Sequence, residues 1–306
     1  MLCPHSRTCP GCPLIERAYP AQLEHKRAVV ARALARYAVL ASPELAPTAP
    51  ADPITDFRVR AKLVSDGRSL GLFARGSHRV VDIPECRIQR PRVLAVSAAL
   101  RADLKALGAV SAFDLREADA GVLVTAAVAP EITAAERRRI AERIAARSTS
   151  IVSVAVSTRA RDAPQVLGTG ASVLVGPSEL EHRPDPDAPF HYAAHGAFTQ
   201  AHAGQLARLH VAIEGTLSAL AKRHRLGTKL RVLELYAGSG ALSLRLASRG
   251  FAVTLVETFA PAVRMAERAA AAQNLTLEAR AADTASALAT FVAAGSRFDA
   301  VIVNPP

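Results

Sequence analysis

From residue 230 to residue 303 the chain alternates between two kinds of segment. Four apolar runs, 230–236, 251–257, 276–281 and 298–303, are separated by three stretches of helical period, 241–249, 261–273 and 284–293. Parallel strands need a crossover of a dozen or so residues, whereas antiparallel strands close through tight turns. The alternation therefore predicts an α/β region with a doubly wound parallel sheet. A helix precedes it, with a stripe at Leu206, Leu209, Ile213, Leu217 and Leu220 and a basic connector at 222–225.

The first of these strands runs into Leu233-Glu-Leu-Tyr-Ala-Gly-Ser-Gly-Ala241. Gly238 and Gly240 let backbone approach a ligand closely at a helix N-terminus. The third glycine of a dinucleotide fingerprint is missing and Ser243 stands there, which argues against a pyrophosphate cofactor. Glu257 ends the next strand, 17 residues after Gly240, where a carboxylate can accept from both ribose hydroxyls. Asp283 ends the third strand, within reach of an adenine amino group, and Asn304-Pro305-Pro306 ends the fourth. All four lie at carboxyl ends of strands, along one crevice. A nucleoside without a pyrophosphate fits, and S-adenosylmethionine is the candidate. Each residue also has a plain reading: Glu257 as a helix-terminal acid, Asp283 as an N-cap, Asn-Pro-Pro as a turn.

The four cysteines form a second constellation: Cys3, Cys9 and Cys12, then Cys86 after a gap of 73 residues. Three clustered thiols with a fourth brought in by folding suit a [4Fe–4S] cluster, and structural zinc remains the alternative, although it usually shows two close pairs. Cys86 follows a predicted β-meander over 57–83. There Arg58, Arg60 and Lys62 alternate with Phe57, Val59, Ala61 and Leu63, and Asp66-Gly67 marks a turn. Between 57 and 92 nine basic residues face three acidic ones, more than half of the chain's net charge of +11, most of it arginine. Guanidinium forks pair with phosphate oxygens, so nucleic acid is the leading partner class; an arginine-rich gene composition is the bland explanation.

A helix over 21–40 carries Val30, Ala33, Leu34 and Tyr37 on one stripe. A proline-rich linker follows at 41–53, then a helix over 91–107, strands over 121–128 and 151–157 with an arginine-rich helix over 133–147 between them, and a second proline-rich stretch over 177–189. The expected domains are 1–50 (cysteine loop and helix), 51–190 (α+β domain with the basic meander) and 191–306 (cofactor domain). No apolar run reaches membrane-spanning length and no apolar leader opens the sequence, so a soluble, cytoplasmic chain with no membrane partner is expected.

Together these segments resemble the iron–sulfur RNA 5-methyluridine methyltransferases, the 23S rRNA (uracil-5-)-methyltransferase group. The resemblance is carried by the cysteine set, Gln22-Leu23-x-x-Lys26, Phe57-Arg58-x-x-Ala61-Lys62, and Gly71-x4-Gly76-Ser77-His78-x-Val80-Val81-Asp82. It continues through Phe198-Thr199-Gln200, Leu235-Tyr236-x-Gly238-x-Gly240, Glu257 and Val303-Asn304-Pro305-Pro306. It implies a class I S-adenosylmethionine methyltransferase fold with a Rossmann-like sheet, here incomplete, behind an α+β RNA-binding domain and a four-cysteine cluster loop. By the same resemblance Cys3, Cys9, Cys12 and Cys86 ligate [4Fe–4S], and Gln200, Tyr236, Gly238, Gly240, Ala241, Glu257, Asp283 and Asn304 hold the cofactor. Arg58, Arg60, Lys62, Arg75 and His78 contact RNA, ribosomal RNA first, and a monomer is expected.

Three departures stand out. Thr199 and His202 replace the second Phe and the Asn of a Phe-Phe-Gln-x-Asn pattern, and Ala237 sits where Cys is frequent. In that family a Cys thiolate adds to carbon 6 of uracil, making carbon 5 nucleophilic, and a base then removes the carbon-5 proton. Both groups are expected downstream of Pro306. The expectation is thus a C-terminally truncated, inactive fragment, with 298–303 as an unpaired sheet edge. Two other functions fit parts of the pattern: an amino-group methyltransferase of the Asn-Pro-Pro type, and a non-catalytic RNA-binding iron–sulfur protein.

Overall fold

The computed structural model describes residues 3–40, 44–160, 163–224 and 230–305. Residues 41–43 of the first proline-rich stretch, Arg225 of the basic connector and Pro306 lie outside the described residues.

A turn-rich loop carrying the first three cysteines leads into α1 (Tyr19–Leu34), which starts at a proline in its first turn. No residue of α1 is buried, and Val29, Val30 and Tyr37 are exposed. The helix expected over 21–40 ends at Leu34, so Tyr37 of the expected stripe lies beyond it; Val30 and Ala33 are exposed and Leu34 is half-buried. What anchors α1 is the extended 44–52 segment: Thr48 Oγ1 donates to the Leu23 carbonyl at 3.0 Å, Arg27 Nη2 to the Leu45 carbonyl at 2.7 Å, and Ala51 N–H to Tyr19 Oη at 2.6 Å.

Strands between residues 60 and 175 form one seven-stranded sheet. In chain order the elements are β1 (Arg60–Ser65), β2 (Leu70–Phe73), β3 (Val80–Asp82), α2 (Pro91–Arg101), β4 (Val110–Glu117), β5 (Val122–Val128), α3 (Ala134–Ala145), β6 (Ile151–Thr158) and β7 (Thr169–Val175). The spatial order is β3-β2-β1-β4-β5-β6-β7, antiparallel except for β5–β6, which α3 connects. The expected turn at Asp66-Gly67 forms, with Asp66 Oδ1 accepting from the Arg68 and Ser69 N–H groups at 3.0 and 2.7 Å. A capping box between Thr133 and Glu136 starts α3.

Strand period two gives this sheet two unlike faces. Leu63, Leu70, Phe113, Leu115, Val124 and Val154 pack under Val93, Val96 and Leu100 of α2 and Ala141 and Ile144 of α3. The opposite face carries Arg60, Lys62, Asp114, Arg116, Thr125 and Ser153. Part of it lies against the hairpin β8 (Glu179–His182)–β9 (His191–Ala194) and the coil that follows. The helix expected over 91–107 stops at Arg101 and continues as turns. Strands β4, β7, β8 and β9 were not foreseen. In β4 the reason is chemical: Asp114 and Arg116 are buried charges that pair only in three dimensions, so 110–117 does not read as an interior strand.

The last third forms the alternation read from the sequence: α4 (Ala203–His224), β10 (Arg231–Leu235), α5 (Ala241–Ser248), β11 (Ala252–Glu257), α6 (Ala260–Ala272), β12 (Glu278–Ala281), α7 (Thr284–Ala293) and β13 (Ala300–Val303). The sheet is parallel throughout, in the order β12-β11-β10-β13. Leu230, Val232 and Val253 face α4 and α5, while Leu233, Leu235 and Val256 face Ala287 and Phe291 of α7, so helices cover both faces. Along α4, Leu217 and Ala221 are buried and Leu209 is 52% exposed, which moves the buried stripe off one expected position. Among the described residues β13 pairs only with β10, and Val301 and Val303 are about half exposed.

Candidate cofactor and nucleic-acid site

Strand order reverses at β10: the chain moves outward through β11 to β12, then returns to β10's other side with β13. Ligands of open parallel sheets bind outside the carboxyl ends of strands at such a switch point. There the chain leaves β10 through Tyr236 at φ +61° and Gly238 at φ +58°, and enters α5 from Gly240 at φ +78°. A Cβ on Gly240 would lie 2.8 Å from the Ala266 Cβ of α6, so both conformation and space demand glycine. The Gly238 N–H donates to Glu257 Oε2 at 2.9 Å, and the Phe259 N–H donates to Glu257 Oε1, also at 2.9 Å. Glu257 is thus fixed between the glycine loop and the end of its own strand. A carboxylate has about four acceptor positions, so capacity remains for a ligand's hydroxyls.

Ala241 is the first residue of α5, and Asn304 lies exposed just past β13. Asp283 caps α7, accepting from the Ser286 N–H at 3.0 Å; the Ser286 side chain first, and then its N–H, hold the Asp283 carboxyl below the usual range. The plain reading of Asp283 as an N-cap is therefore realised, and its place two residues beyond β12 keeps it at the same edge as Glu257.

Behind the loop lies a residue the sequence reading passed over. Glu234 of β10 is buried, and Ser243 Oγ of α5 donates to its Oε2. Burial raises the Glu234 carboxyl to about 7, against the lowering effect of Ser243. This accounts for the serine at the third fingerprint position: a glycine there would remove the side-chain donor to a buried carboxyl. The signal was present in the sequence as an acid in the strand that leads to the glycine loop.

Gln200 lies in the coil between β9 and α4. Ala197 packs on Ala262 and Met265 of α6, close to the Glu257–Phe259 turn. On its other side the coil meets the central sheet. His195 bonds Thr125 at 2.8 Å and Ser153 at 2.9 Å, Arg116 Nη1 donates to Thr199 Oγ1 at 2.8 Å, and Val59 N–H donates to the Ala201 carbonyl at 2.9 Å. His202 stacks on Phe57 with centroids 4.3 Å apart. Its Nε2 donates to the Pro53 carbonyl at 3.0 Å, and its Nδ1 accepts from the Gln205 N–H at 3.2 Å, at the start of α4. These partners fix the tautomer and give His202 the capping role open to an Asn.

Cys3, Cys9, Cys12 and Cys86 line one cavity with His5, Ile15, Ile83 and Ile88, and none is in a disulfide. Burial raises the Cys9 and Cys12 thiols, and the neighbouring cysteines push them further; the Gly11 N–H, donating to Cys9 Sγ at 3.5 Å, and Arg58, acting on Cys12, oppose this. Gly11 closes the loop over the sheet, for a Cβ there would meet Leu72 Cδ1 at 3.0 Å. The Glu85 N–H donates to His5 Nε2 at 3.2 Å, tying the loop to the segment before Cys86. Among the described residues no three His, Cys, Asp or Glu side chains are gathered tightly enough to hold a single metal ion.

The five candidate RNA contacts differ in exposure. Lys62, Arg75 and His78 are exposed, with His78 edge-on to Phe73. Arg60 is engaged within the chain: its Nε and Nη2 donate to Asp114 Oδ1 and Oδ2 at 2.8 and 2.9 Å, and only 13% of its side chain is exposed. Arg58 is partly buried, and its Nε lies buried without a hydrogen-bond partner.

Residues 213–306 match the family model described as conserved hypothetical protein 95. Over 99% of its length the chain is 25% identical to an uncharacterized RNA methyltransferase of Geobacter sulfurreducens, covering 63% of that protein. It is 28% and 30% identical to the 23S rRNA (uracil(1939)-C(5))-methyltransferases RlmD of Halomonas elongata and Chromohalobacter salexigens, with 99% of the chain covering 62% of each. The chain thus spans less than two thirds of the length of these relatives. Its fold is that of the Pyrococcus abyssi tRNA (uracil-54, C5)-methyltransferase crystallised with S-adenosyl-L-homocysteine. The TM-score is 0.71 at 21% identity, over 97% of this chain and 70% of that one.

Glu234 carries a pH prediction. Its folded value, about 7, lies above the ordinary 4.5, so between those values the folded protein holds a proton that the unfolded chain has released. Stability must fall as pH rises through that window. In urea denaturation the Glu234→Gln variant should match the wild type near pH ~4.5 and gain on it up to pH ~8. A gap that does not change with pH would mean that Glu234 is ionised throughout.

Proposed function

We propose that this chain serves S-adenosylmethionine-dependent methylation of RNA at carbon 5 of uracil, in ribosomal RNA before transfer RNA, as a cytoplasmic monomer. The observation that carries the reading is the Glu257 carboxylate, pinned by the Gly238 N–H at the switch point of a parallel sheet. The likeness over the whole chain to proteins named for that reaction supports the choice of RNA and of uracil.

The residues fit the cofactor. The left-handed turns at Gly238 and Gly240 leave a side-chain-free approach to the N-terminus of α5, where backbone N–H groups suit a carboxylate. Glu257 would take the ribose hydroxyls, Asp283 the adenine amino group, and Tyr236, Ala241, Gln200 and Asn304 would line the rest. When bound, the cofactor supplies an electrophilic methyl group on a sulfonium. The covalent step of the resembled family needs a thiolate, and all four cysteines line the other cavity. That step is therefore assigned to no residue of this chain.

For RNA the exposed Lys62, Arg68, Arg75, His78 and Arg79 of the meander, with Arg87 just beyond it, form the proposed contact surface. Arg60 is left out because Asp114 occupies it. For the metal, a single zinc ion draws its sulfurs to about 2.3 Å from one centre. Three thiols clustered in sequence with a fourth brought to the same cavity by folding are our reason for favouring the [4Fe–4S] cluster, which would pin the N-terminal loop to the end of β3.

Three measurements test the reading. S-adenosylhomocysteine titrated calorimetrically into the chain should bind, and Glu257→Ala should weaken it roughly tenfold or more; a folded wild type that takes up none would end the cofactor assignment. RNA affinity should fall steeply with salt, and joint replacement of Lys62, Arg75 and His78 by Ala should flatten the slope. An unchanged slope would move the contact surface elsewhere. Protein purified without oxygen should contain about four irons and about four sulfides per chain, both lost in Cys86→Ser, whereas a colourless, zinc-bearing protein would replace the cluster with zinc.

A further inference from the structure

The charged face of the central sheet holds an arrangement that packing does not require. Asp114 and Arg116 lie two apart on β4, each with 2% of its side chain exposed. Asp114 Oδ2 accepts from Arg116 Nη2 at 3.4 Å, while the bidentate fork of Arg60 takes both carboxylate oxygens at 2.8 and 2.9 Å. Two guanidiniums thus share one carboxylate. Burial, and then Arg60, lower Arg116 to about 10, so it remains charged at neutral pH. Taking such ions out of water costs several kcal/mol each, and well-packed apolar residues often serve stability equally well.

What apolar residues cannot provide is a directed donor, and Arg116 aims one out of the sheet. Its Nη1 donates to Thr199 Oγ1 at 2.8 Å. Residues 197–200 have no regular secondary structure. Among the described residues, the hydrogen bond that reaches 198–200 from the rest of the chain is this one. The flanking ties are the Ala197 contact with α6 and the Val59–Ala201 bond. Gln200, the residue after Thr199, stands beside the cofactor crevice on the reading above.

We propose that Arg116, oriented by Asp114, is a positioning residue: through the Thr199 hydroxyl it holds the 198–200 strap so that Gln200 is set against the cofactor. It touches no ligand itself, being 1% exposed. The proposal rests on the cofactor reading and adds to it a member that lies in the seven-stranded sheet. It also accounts for threonine at 199, where the resembled family has Phe: an aromatic side chain could not accept from Arg116.

Thr199 is the place to test this, because its substitution leaves both buried charges in place. Thr199→Val keeps the shape and removes the acceptor; Thr199→Ser keeps the acceptor. Each is measured in the full chain by calorimetric titration with S-adenosylhomocysteine, amide hydrogen exchange without ligand, RNA affinity and thermal midpoint. Thr199→Val should weaken S-adenosylhomocysteine roughly tenfold and speed exchange at residues 198–201, with RNA affinity unchanged. Thr199→Ser should stay within about twofold of the wild type. The proposal is overturned if Thr199→Val binds within about threefold of the wild type, if Thr199→Ser loses as much as Thr199→Val, or if strap exchange does not respond. A wild type that binds no S-adenosylhomocysteine would instead remove the cofactor reading, while strap exchange that still responds to Thr199→Val would support the hold of Arg116 on the strap.

Discussion

Between the glycine loop after β10 and the carboxylate at the end of β11 runs one hydrogen bond, from the Gly238 N–H to Glu257 Oε2. It depends on two prior conditions. The strands must be parallel neighbours in register, as Leu235 and Val256 are, so that both chain ends emerge on the same edge. The loop must also turn left-handed at Gly238 and Gly240, which only glycine does without strain. Once both hold, the carboxylate is fixed beside a helix N-terminus, and the edge can take a polar ligand by its hydroxyls and its acid group. A one-residue slip of β11 would carry Glu257 to the opposite face and dissolve the arrangement.

The polar groups buried beneath this edge have distinct tasks. Glu234 and Ser243 join β10 to α5 directly below the glycine loop. Arg245 of α5 takes Glu214 of α4 through Nε at 2.8 Å and Asp185 of the loop before β9 through Nη1, with only 4% of its side chain exposed. Glu214 also takes Arg249 Nε at 3.1 Å, so two carboxylates and two guanidiniums balance here, unlike the Arg60–Asp114–Arg116 group. The group at Arg245 is a clamp between α4, α5 and the loop before β9. The triad at Asp114 has an excess of positive charge and sends its spare donor from the seven-stranded sheet to the coil before α4.

The parts of the fold visible in the sequence were those governed by local rules. Period-two and period-3.6 patterning gave the alternation after residue 230; glycines with required positive φ gave the loop; Asp66-Gly67 gave a turn; and thiol spacing placed Cys86 with Cys3, Cys9 and Cys12 around one cavity. The parts that escaped were set by partners remote in sequence. Strand β4 carries Asp114 and Arg116, whose pairing lies with Arg60 and Thr199, 54 and 83 residues away. Hairpin β8–β9 sits inside or just beyond a proline-rich stretch that reads as a boundary. Leu209, Val30 and Ala33 have helical spacing yet stay exposed, because spacing defines a face and says nothing of what covers it. Arg60 read as a phosphate contact for the same reason: its alternation with Ala61 was correct, but the Asp114 that claims it was invisible.

Strand β1 and the residues leading into it show how closely the candidate sites are bound together. Phe57 stacks on His202 at the start of α4. The backbone of Arg58 receives Arg90 and donates to Ile88, at 3.1 and 2.7 Å, next to the cysteine cavity. Val59 donates to Ala201, just past the strap, and accepts from Glu117. Arg60 enters the Asp114 group, and Lys62 points outward among the exposed cations. Six consecutive residues thus touch the segment after Cys86 that lines the cysteine cavity, the coil before α4 and the basic surface. This is possible because a strand sends successive side chains to opposite faces while its backbone bonds sideways to both neighbours. Binding at the basic surface and order at the cofactor edge therefore share a rigid element, and a shift of β1 along its own axis would disturb all three sites at once.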